Sequence, residues 1–195
     1  EVTDIKATGS VTTVAEGKVT NTIVYTTGEN FNADNYTIVK NEGELSITAK
    51  DSVITITANS DGKTYDGTPL TNSGYTYTEG VLADGDVLTA TVEGSITNFG
   101  TANNVVTNYT VTRNGVDVTS NYTFGKSENG TLTINQRTVT LTSETASKPY
   151  DGTPLEKPNV AVTGDGFVTG EVTDIKATGS VTTVAEGKVT NTIVY

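Results

Sequence analysis

EVTDIKATGSVTTVAEGKVTNTIVY, residues 1–25, returns letter for letter at residues 171–195. A shared fold fixes the pattern of apolar positions but leaves the surface letters free, so identity over this length indicates recent duplication. A shorter motif recurs at half that spacing, because KTYDGTPL at residues 63–70 returns as KPYDGTPL at residues 148–155, 85 residues later. The sequence therefore predicts a repeating structural unit of about 85 residues in two alternating variants.

The two variants align without a gap from Ile54 opposite Val139 to Gly94 opposite Gly179. Farther along, VVTN at residues 105–108 is predicted to match KVTN at residues 18–21, with two extra residues in the preceding FGTANN turn. This register sets the predicted boundaries. The chain is divided into a first segment (residues 1–50, the C-terminal part of a unit), a central segment (residues 51–136, a complete unit) and a last segment (residues 137–195, the N-terminal part of a unit).

The joints between these segments are short, Thr48–Ser52 and Asn135–Arg137. Flexible linkers are usually rich in Gly and Ser, and no Gly- or Pro-rich linker appears at either joint. Neighbouring units are therefore expected to be held stiffly end to end.

Short stretches alternate apolar residues with Thr at period two: VITIT at 53–57, TLTIN at 131–135 and TVTLT at 138–142. β-branched residues favour pleated strands, and strands with one wet face are typical of antiparallel sheets. No window keeps a helical period over three turns. The predicted fold is all-β, with small antiparallel immunoglobulin-like sandwiches as the preferred unit and a β-grasp-like unit as the alternative. The residues expected to face inward are Ile54, Ile56, Leu132, Ile134, Val139 and Leu141.

The first and last segments each hold only part of a unit. They are expected to expose core residues such as Leu45, Ile47, Val139 and Leu141. Two explanations are open: the chain is a window on a longer fibre, which is favoured, or the tail of one molecule pairs with the head of the next. In the first segment the predicted strands are residues 11–14, 18–25, 36–40 and 44–48.

The chain carries a net charge of −11 and contains no Cys and no His. It therefore lacks the thiolate and imidazole groups that bind zinc or haem and that serve Cys nucleophiles and Ser-His-Asp triads. The negative charge opposes binding to nucleic acid or to an anionic bilayer, and no apolar run approaches the roughly 20 residues of a membrane helix. The sequence predicts no enzyme, no nucleic-acid partner and no membrane insertion.

Three acidic turns offer oxygen atoms of the kind that calcium prefers: ADGD at 83–86, TGDG at 163–166 and ENFNADN at 29–35. None has the spacing of a dedicated loop such as D-x-[DN]-x-[DN]-G. Nothing in the sequence places two carboxylates across a cleft, as glycoside hydrolysis requires. The prediction is solvated turns and no cofactor, with calcium binding as the alternative.

The two YDGTPL stretches are predicted to be tight turns that support the fold. Asp-Gly pairs form turns because Gly tolerates a positive φ, and the Pro fixes an extended exit. The Tyr is expected to cover the thin core with its hydroxyl at the edge, and stacking on carbohydrate is the alternative. The motif comprises Tyr65, Asp66, Gly67 and Pro69 in the central segment and Tyr150, Asp151, Gly152 and Pro154 in the last segment.

The Lys that precedes each turn is a candidate for a covalent crosslink between its amine and an Asn side chain. Lys63, or its counterpart Lys148, forms the best pairing with Asn135 on the last strand of the central segment. A lone Lys before a turn is usually solvated, and that is the default prediction.

Three blocks of the central segment resemble a known family: KTYDGTPL at 63–70, GSITNFGTANNVVTNYTV at 94–111 and NYTFGKSENGTLTI at 121–134. In this order and spacing they are similar to the YDG and MBG type repeats, which form tandem arrays in bacterial, often Gram-positive, cell-surface proteins. The second variant carries the same three blocks, so the resemblance covers essentially the whole chain. It implies an extracellular, cell-wall-anchored stalk in an adhesin-like protein and brings no catalytic residues.

The leading interpretation is a structural spacer, a stiff acidic fibre whose partners are its own neighbouring units. The alternative is a repetitive low-affinity module for host glycan or protein, in which repetition supplies avidity. A binding site should keep an exposed aromatic residue in both variants. Tyr65 and Tyr150 match, whereas Tyr75 and Tyr77 stand opposite Val residues, which favours the spacer.

Overall fold

The structure is a computed structural model that describes residues 2–195. Its regular elements are strands and three-residue 3-10 turns, which confirms the predicted all-β class. The strands are β1 Val2–Ala7, β2 Val19–Asn21, β3 Ile23–Thr27, β4 Gly43–Leu45, β5 Lys50–Ile54, β6 Ile56–Ala58, β7 Asp61–Thr64, β8 Tyr75–Tyr77, β9 Asp86–Glu93, β10 Gly100–Arg113, β11 Val116–Asp117, β12 Tyr122–Phe124, β13 Gly130–Asn135, β14 Val139–Ser143, β15 Leu155–Glu156, β16 Val160–Gly164, β17 Lys176–Ala177, β18 Ser180–Val181 and β19 Ile193–Val194. The 3-10 turns are Val14–Glu16, Ala33–Asn35, Thr119–Asn121 and Val184–Glu186.

The chain forms two compact units, each assembled from separate stretches. The first unit comprises the described residues up to Asn59 together with Asn72–Glu93 and Asn104–Gly130. The second unit comprises Ser60–Thr71, Gly94–Asn103 and Thr131–Tyr195. The central segment contributes to both units, and its boundaries at residues 51 and 136 stay a prediction.

In the first unit, β9 and β10 run antiparallel over eight residue pairs, Asp86–Glu93 against Val105–Arg113. β10 continues into β11 through Asn114 and Gly115, both with positive φ, as a two-residue hairpin turn requires. β1 pairs with β3, β2 with β4 and β6 with β8, all antiparallel.

The core of the first unit is built around Ile54 and Ile56, which are 0% and 1% exposed. Both face inward, as the VITIT alternation predicts. The other buried members of this core are Val81, Leu88, Val111, Val118 and Tyr122.

In the second unit, β14 pairs with β16, β15 with β18 and β17 with β19, all antiparallel. Its core is smaller. Leu132 and Ile134 of β13 are fully buried, Leu70 is buried beside them, and Tyr65 and Ile96 pack against this cluster.

Parallel strand pairs occur within residues 2–195, which corrects the prediction of purely antiparallel sheets. β12 pairs with β5, and β13 pairs with β7. Parallel neighbours need a connection of about a dozen or more residues. In each pair the partners come from opposite ends of the central segment, so the chain between them supplies that connection. The alternation within a single strand does not reveal such a distant partner.

The first segment departs from its predicted strands. In place of the strand predicted at residues 44–48, the structure has the shorter strand β4. The single strand predicted at residues 18–25 is two strands, β2 and β3, and β1 was not predicted. Residues 11–14 and 36–40 lie outside the strands of the described chain. The Glu16 carboxylate accepts the backbone N–H groups of Thr12 and Thr13 at 3.0 and 2.7 Å, so these donors serve a local turn instead of a strand ladder.

Candidate functional site

The first YDGTPL turn is organised by the Asp66 carboxylate. Asp66 Oδ1 accepts hydrogen bonds from Lys63 Nζ and Thr68 Oγ1, both at 2.7 Å, and from the Thr68 backbone N–H at 2.9 Å. The hydrogen bond from Lys63, followed by those from Thr68, holds the pKa of Asp66 well below its usual range.

The second turn repeats this network in the last segment. Asp151 Oδ1 accepts from the Thr153 backbone N–H at 3.0 Å, from Thr153 Oγ1 at 2.8 Å and from Lys148 Nζ at 3.0 Å. The Thr153 backbone N–H, together with Lys148, lowers the pKa of Asp151 to about 2. Two stretches with different surroundings build the same turn, so its shape is a local property of the sequence.

The Gly residues of the two turns have the same backbone conformation, with φ +81° at both Gly67 and Gly152. A positive φ is strained for residues with a Cβ, so each turn requires Gly. The carbonyls of the following Pro69 and Pro154 accept hydrogen bonds from Lys63 and Lys148.

Lys63 lies in a different network from the one predicted for a crosslink. Its amine donates to Asp66, Thr68 and Pro69 within its own turn. Asn135 instead contributes its backbone carbonyl, which accepts the Tyr65 N–H at 2.8 Å. An ammonium group has three donors, so these three acceptors account for its bonding capacity.

The two Tyr residues of the motif have different environments. Tyr65 packs against the Leu132 and Ile134 core, as predicted, and its hydroxyl donates to Glu171, which raises the Tyr65 pKa. Tyr150 is 69% exposed, so it does not cover a core in the last segment. The strand that covers Tyr65 is β13, and the last segment contains no counterpart of β13.

Arg137, at the joint of the central and last segments, contacts backbone on both sides of that joint. Its Nε donates to the Gly166 carbonyl at 2.6 Å, another guanidinium nitrogen donates to the Tyr65 carbonyl at 3.0 Å, and the third contacts the Asp165 carbonyl. The planar guanidinium suits such simultaneous contacts. Arg137 was not among the predicted site residues, although its position in the joint was a usable signal.

Lys50 has a corresponding role at the other joint. Its Nζ donates to the Val81 carbonyl at 2.7 Å, and Val81 stands 85 residues before Gly166. At the same joint the Val14 backbone N–H donates to Asn121 Oδ1 at 2.8 Å. A cation at each joint therefore binds the carbonyl of the same aligned position.

The acidic turn ADGD is not simply solvated, which corrects one prediction. The Asp86 side chain is 4% exposed and accepts hydrogen bonds from Arg113 and Tyr122. Burial alone would raise the Asp86 pKa, but these hydrogen bonds outweigh it and hold the pKa below its ordinary value. The aligned acid, Glu171, also accepts from a Tyr hydroxyl, so an acid at this position in both variants was the missed signal.

In each variant, one Asn side chain donates hydrogen bonds to the backbone of two loops. Asn104 Nδ2 donates to the Asn59 and Asn72 carbonyls, both at 2.8 Å. Asn191 Nδ2 donates to the carbonyls of Glu144 and Lys157, the two positions that stand 85 residues later. Asn104 is thus the structural equivalent of Asn191, which corrects the predicted match of VVTN with KVTN.

Among residues 2–195, no group of three or more acidic side chains is arranged to hold a metal ion. The described helical turns include none that is long and apolar enough to cross a membrane. The positioned polar groups are ion pairs and hydrogen bonds that fasten turns and joints. These contacts join residues of the chain to one another.

Comparison of the chain with protein-family models, with curated proteins and with solved structures finds no match.

Proposed function

We propose that this chain is part of a structural spacer, a tandem array of small β-sandwich units that holds another domain away from a bacterial cell wall. The β-grasp-like unit is the alternative topology. The resemblance to YDG and MBG type repeats supports an extracellular, adhesin-like setting on a cell surface. The acidic net charge of −11 favours solubility of a long exposed fibre.

The observation that carries the proposal is the equivalence of the two joints. Lys50 and Arg137 both bind a backbone carbonyl at the same aligned position, 81 and 166. The acceptor of this contact is a backbone carbonyl, which does not depend on the surface letters, and each joint supplies the cation from its own position, 50 or 137. A spacer needs such fixed joints, because its length is useful only if consecutive units keep their relative direction.

The repeated binding module is supported less well. Its aromatic candidate in the central segment, Tyr65, packs against the core of Leu132 and Ile134 and so is not a free stacking surface. A repeated binding site needs the same exposed surface in each unit.

The proposal is tested by small-angle X-ray scattering on the dilute chain and on Arg137→Ser, which introduces the residue found at the aligned position 52. The variant should give a broader distribution of particle dimensions, while the control Arg113→Ser should not, because Arg113 contacts Asp86 within the central segment. An unchanged distribution for Arg137→Ser would contradict a role of this joint in stiffness. Clear binding to a glycan array that is lost in Tyr150→Ala would favour the binding module.

A further inference from the structure

The strands at both ends of the central segment belong to parallel pairs. β5 begins at the joint with the first segment, and β13 ends at the joint with the last segment. β5 pairs with β12, and β13 pairs with β7. A force that stretches the chain across the central segment therefore meets a parallel pair at each joint.

In the first unit, the parallel run of β5 and β12 continues beyond the two strands. The Gly125 N–H donates to the Ile54 carbonyl, and the Glu128 N–H donates to the Ile56 carbonyl, both at 2.9 Å. A Cβ on Gly130 would collide with the backbone carbonyls at the end of β6, so only Gly allows this close approach. Backbone hydrogen bonds therefore join the two stretches over more than the length of β12.

In the second unit, β7 is paired with β13 along its whole length. Asp61–Thr64 lie opposite Leu132–Asn135. The pairing extends one step farther, because the Tyr65 N–H donates to the Asn135 carbonyl at 2.8 Å. The last strand before the joint is thus held by backbone hydrogen bonds up to its final residue.

The side chains of β13 fix its register against β7. Leu132 and Ile134 are 0% exposed. Successive side chains of a strand point to opposite faces, so pairing one residue away would turn both Leu132 and Ile134 out of the core. β13 therefore cannot slide by one residue along β7 and re-form its hydrogen bonds there.

The direction of the load on these pairs follows from the order of the chain. A force from the first segment reaches β5 and β7 at their first residues, Lys50 and Asp61. A force from the last segment reaches β13 and β12 at their last residues, Asn135 and Phe124. In a parallel pair these are opposite ends, so the two strands are pulled past each other along their length. An antiparallel pair in the same place would be pulled apart from one end.

Strands that are pulled past each other share the load over all of their hydrogen bonds, whereas strands that are peeled from one end lose these bonds one at a time. We propose that the pairs β5–β12 and β7–β13 are a mechanical clamp that keeps the central segment folded when the chain is stretched. This inference deepens the proposed spacer function and rests on it, because a spacer that holds another domain is pulled from both sides.

Single-molecule pulling on the full 195-residue chain tests the clamp with handles at either end of β7. The chain contains no Cys, so handles attach only at introduced Cys residues. Asp61→Cys with Gln136→Cys pulls β7 and β13 past each other, whereas Thr64→Cys with Gln136→Cys peels them from one end. All three positions are exposed. The first pair of handles should require at least about 2-fold more force, because forced unfolding depends on the unfolding barrier.

Asp51→Cys with Gln136→Cys is the second variant, which loads both parallel pairs as the neighbouring segments do. It should also require the higher force, and it replaces Asp61→Cys in the comparison if that substitution unfolds the chain. Equal forces for handles at Asp61 and Thr64, or a lower force for Asp51 than for Thr64, would overturn the proposal. The scattering test measures the joints, so a failure of the spacer function and a failure of the clamp are distinguishable.

Discussion

Gly67 has φ +81°, and a Cβ built on it would lie 3.2 Å from Val168 Cγ1. Gly67→Val therefore combines backbone strain with a close side-chain contact. We expect a loss of stability of about 1–3 kcal/mol, measured as a lower melting temperature and denaturation midpoint.

Gly115 provides the comparison for this substitution. Its φ is also +81°, but a Cβ there would meet nothing within 4 Å. Gly115→Val should therefore show the strain alone and a smaller loss than Gly67→Val. If Gly67→Val melts at the wild-type temperature, the strain assigned to this turn is wrong.

The Asp151 carboxylate should titrate near pH 2 in the folded chain, because Thr153 and Lys148 stabilise its charged form. Its pKa in an unfolded chain is about 3.9, so the folded value is the lower one. The stabilisation is present above pH 4 and is lost as pH falls through about 2. A carboxyl carbon NMR titration checks this, and Lys148→Ala should move the midpoint up. A wild-type midpoint near 3.9 would show that the network does not persist in solution.

Asn104 and Asn191 allow a matched test of a buried amide. Asn104 is fully buried and donates to two backbone carbonyls, whereas the equivalent Asn191 is half-buried. Asn104→Ala should cost on the order of 2–3 kcal/mol, because two buried acceptors lose a donor. Asn191→Ala should cost less, since water can replace the lost bonds. Equal costs in chemical denaturation would contradict the role of burial.

At the scale of single elements, the duplicated stretch shows which structural features are set by neighbouring residues and which depend on a distant partner. The 3-10 turns Val14–Glu16 and Val184–Glu186 have the same capping arrangement, and both are followed by Gly with φ 68°. These features depend on neighbouring residues, so a sequence can reveal them. The strand at residues 19–21 depends on β4, a distant partner, and its identical copy at 189–191 forms no strand.

One substitution should have a large effect in the first copy and a small effect in the second copy. Thr20→Pro removes a backbone donor inside a paired strand, so it should speed amide exchange in β4 and cost more than about 1 kcal/mol. Thr190→Pro falls in the unpaired copy and should change stability little in the monomer. Equal effects, measured by hydrogen exchange and thermal unfolding, would show that β2 and β4 do not pair in solution.

Features with local causes could be predicted from the sequence, whereas features that depend on distant residues could not. VITIT correctly identified Ile54 and Ile56 as core residues, because alternation within a strand reports its own buried face. The parallel pairs and the Arg137 contacts were missed, because each depends on residues that are far apart in the chain. Residues 36–40 failed as a strand for a related reason. Their counterparts in β12 pair with β5, a strand that is far away in the chain.

At the scale of the whole molecule, the strands of the central segment pair with one another. β5 pairs with β12, β6 with β8, β7 with β13, and β9 and β11 with β10, so all of these partners lie within Lys50–Asn135. The compact units divide the chain differently, because both draw on residues of the central segment. The two divisions make different predictions about which piece can fold independently.

We expect residues 51–136 to fold alone into a β-rich unit that melts cooperatively, because this piece keeps nearly all of its strand pairs and the cores around Ile56 and Ile134. It loses the contacts of Arg137 and Glu171 at Tyr65, so it should melt below the full chain. Circular dichroism and calorimetry of the excised piece measure both properties. Residues 137–195 are the control and should show no cooperative transition, since their β7-like edge is unpaired. Helical minima, or a gradual melt of residues 51–136, would show that the pairing within the central segment is insufficient and that folding requires the compact units as wholes.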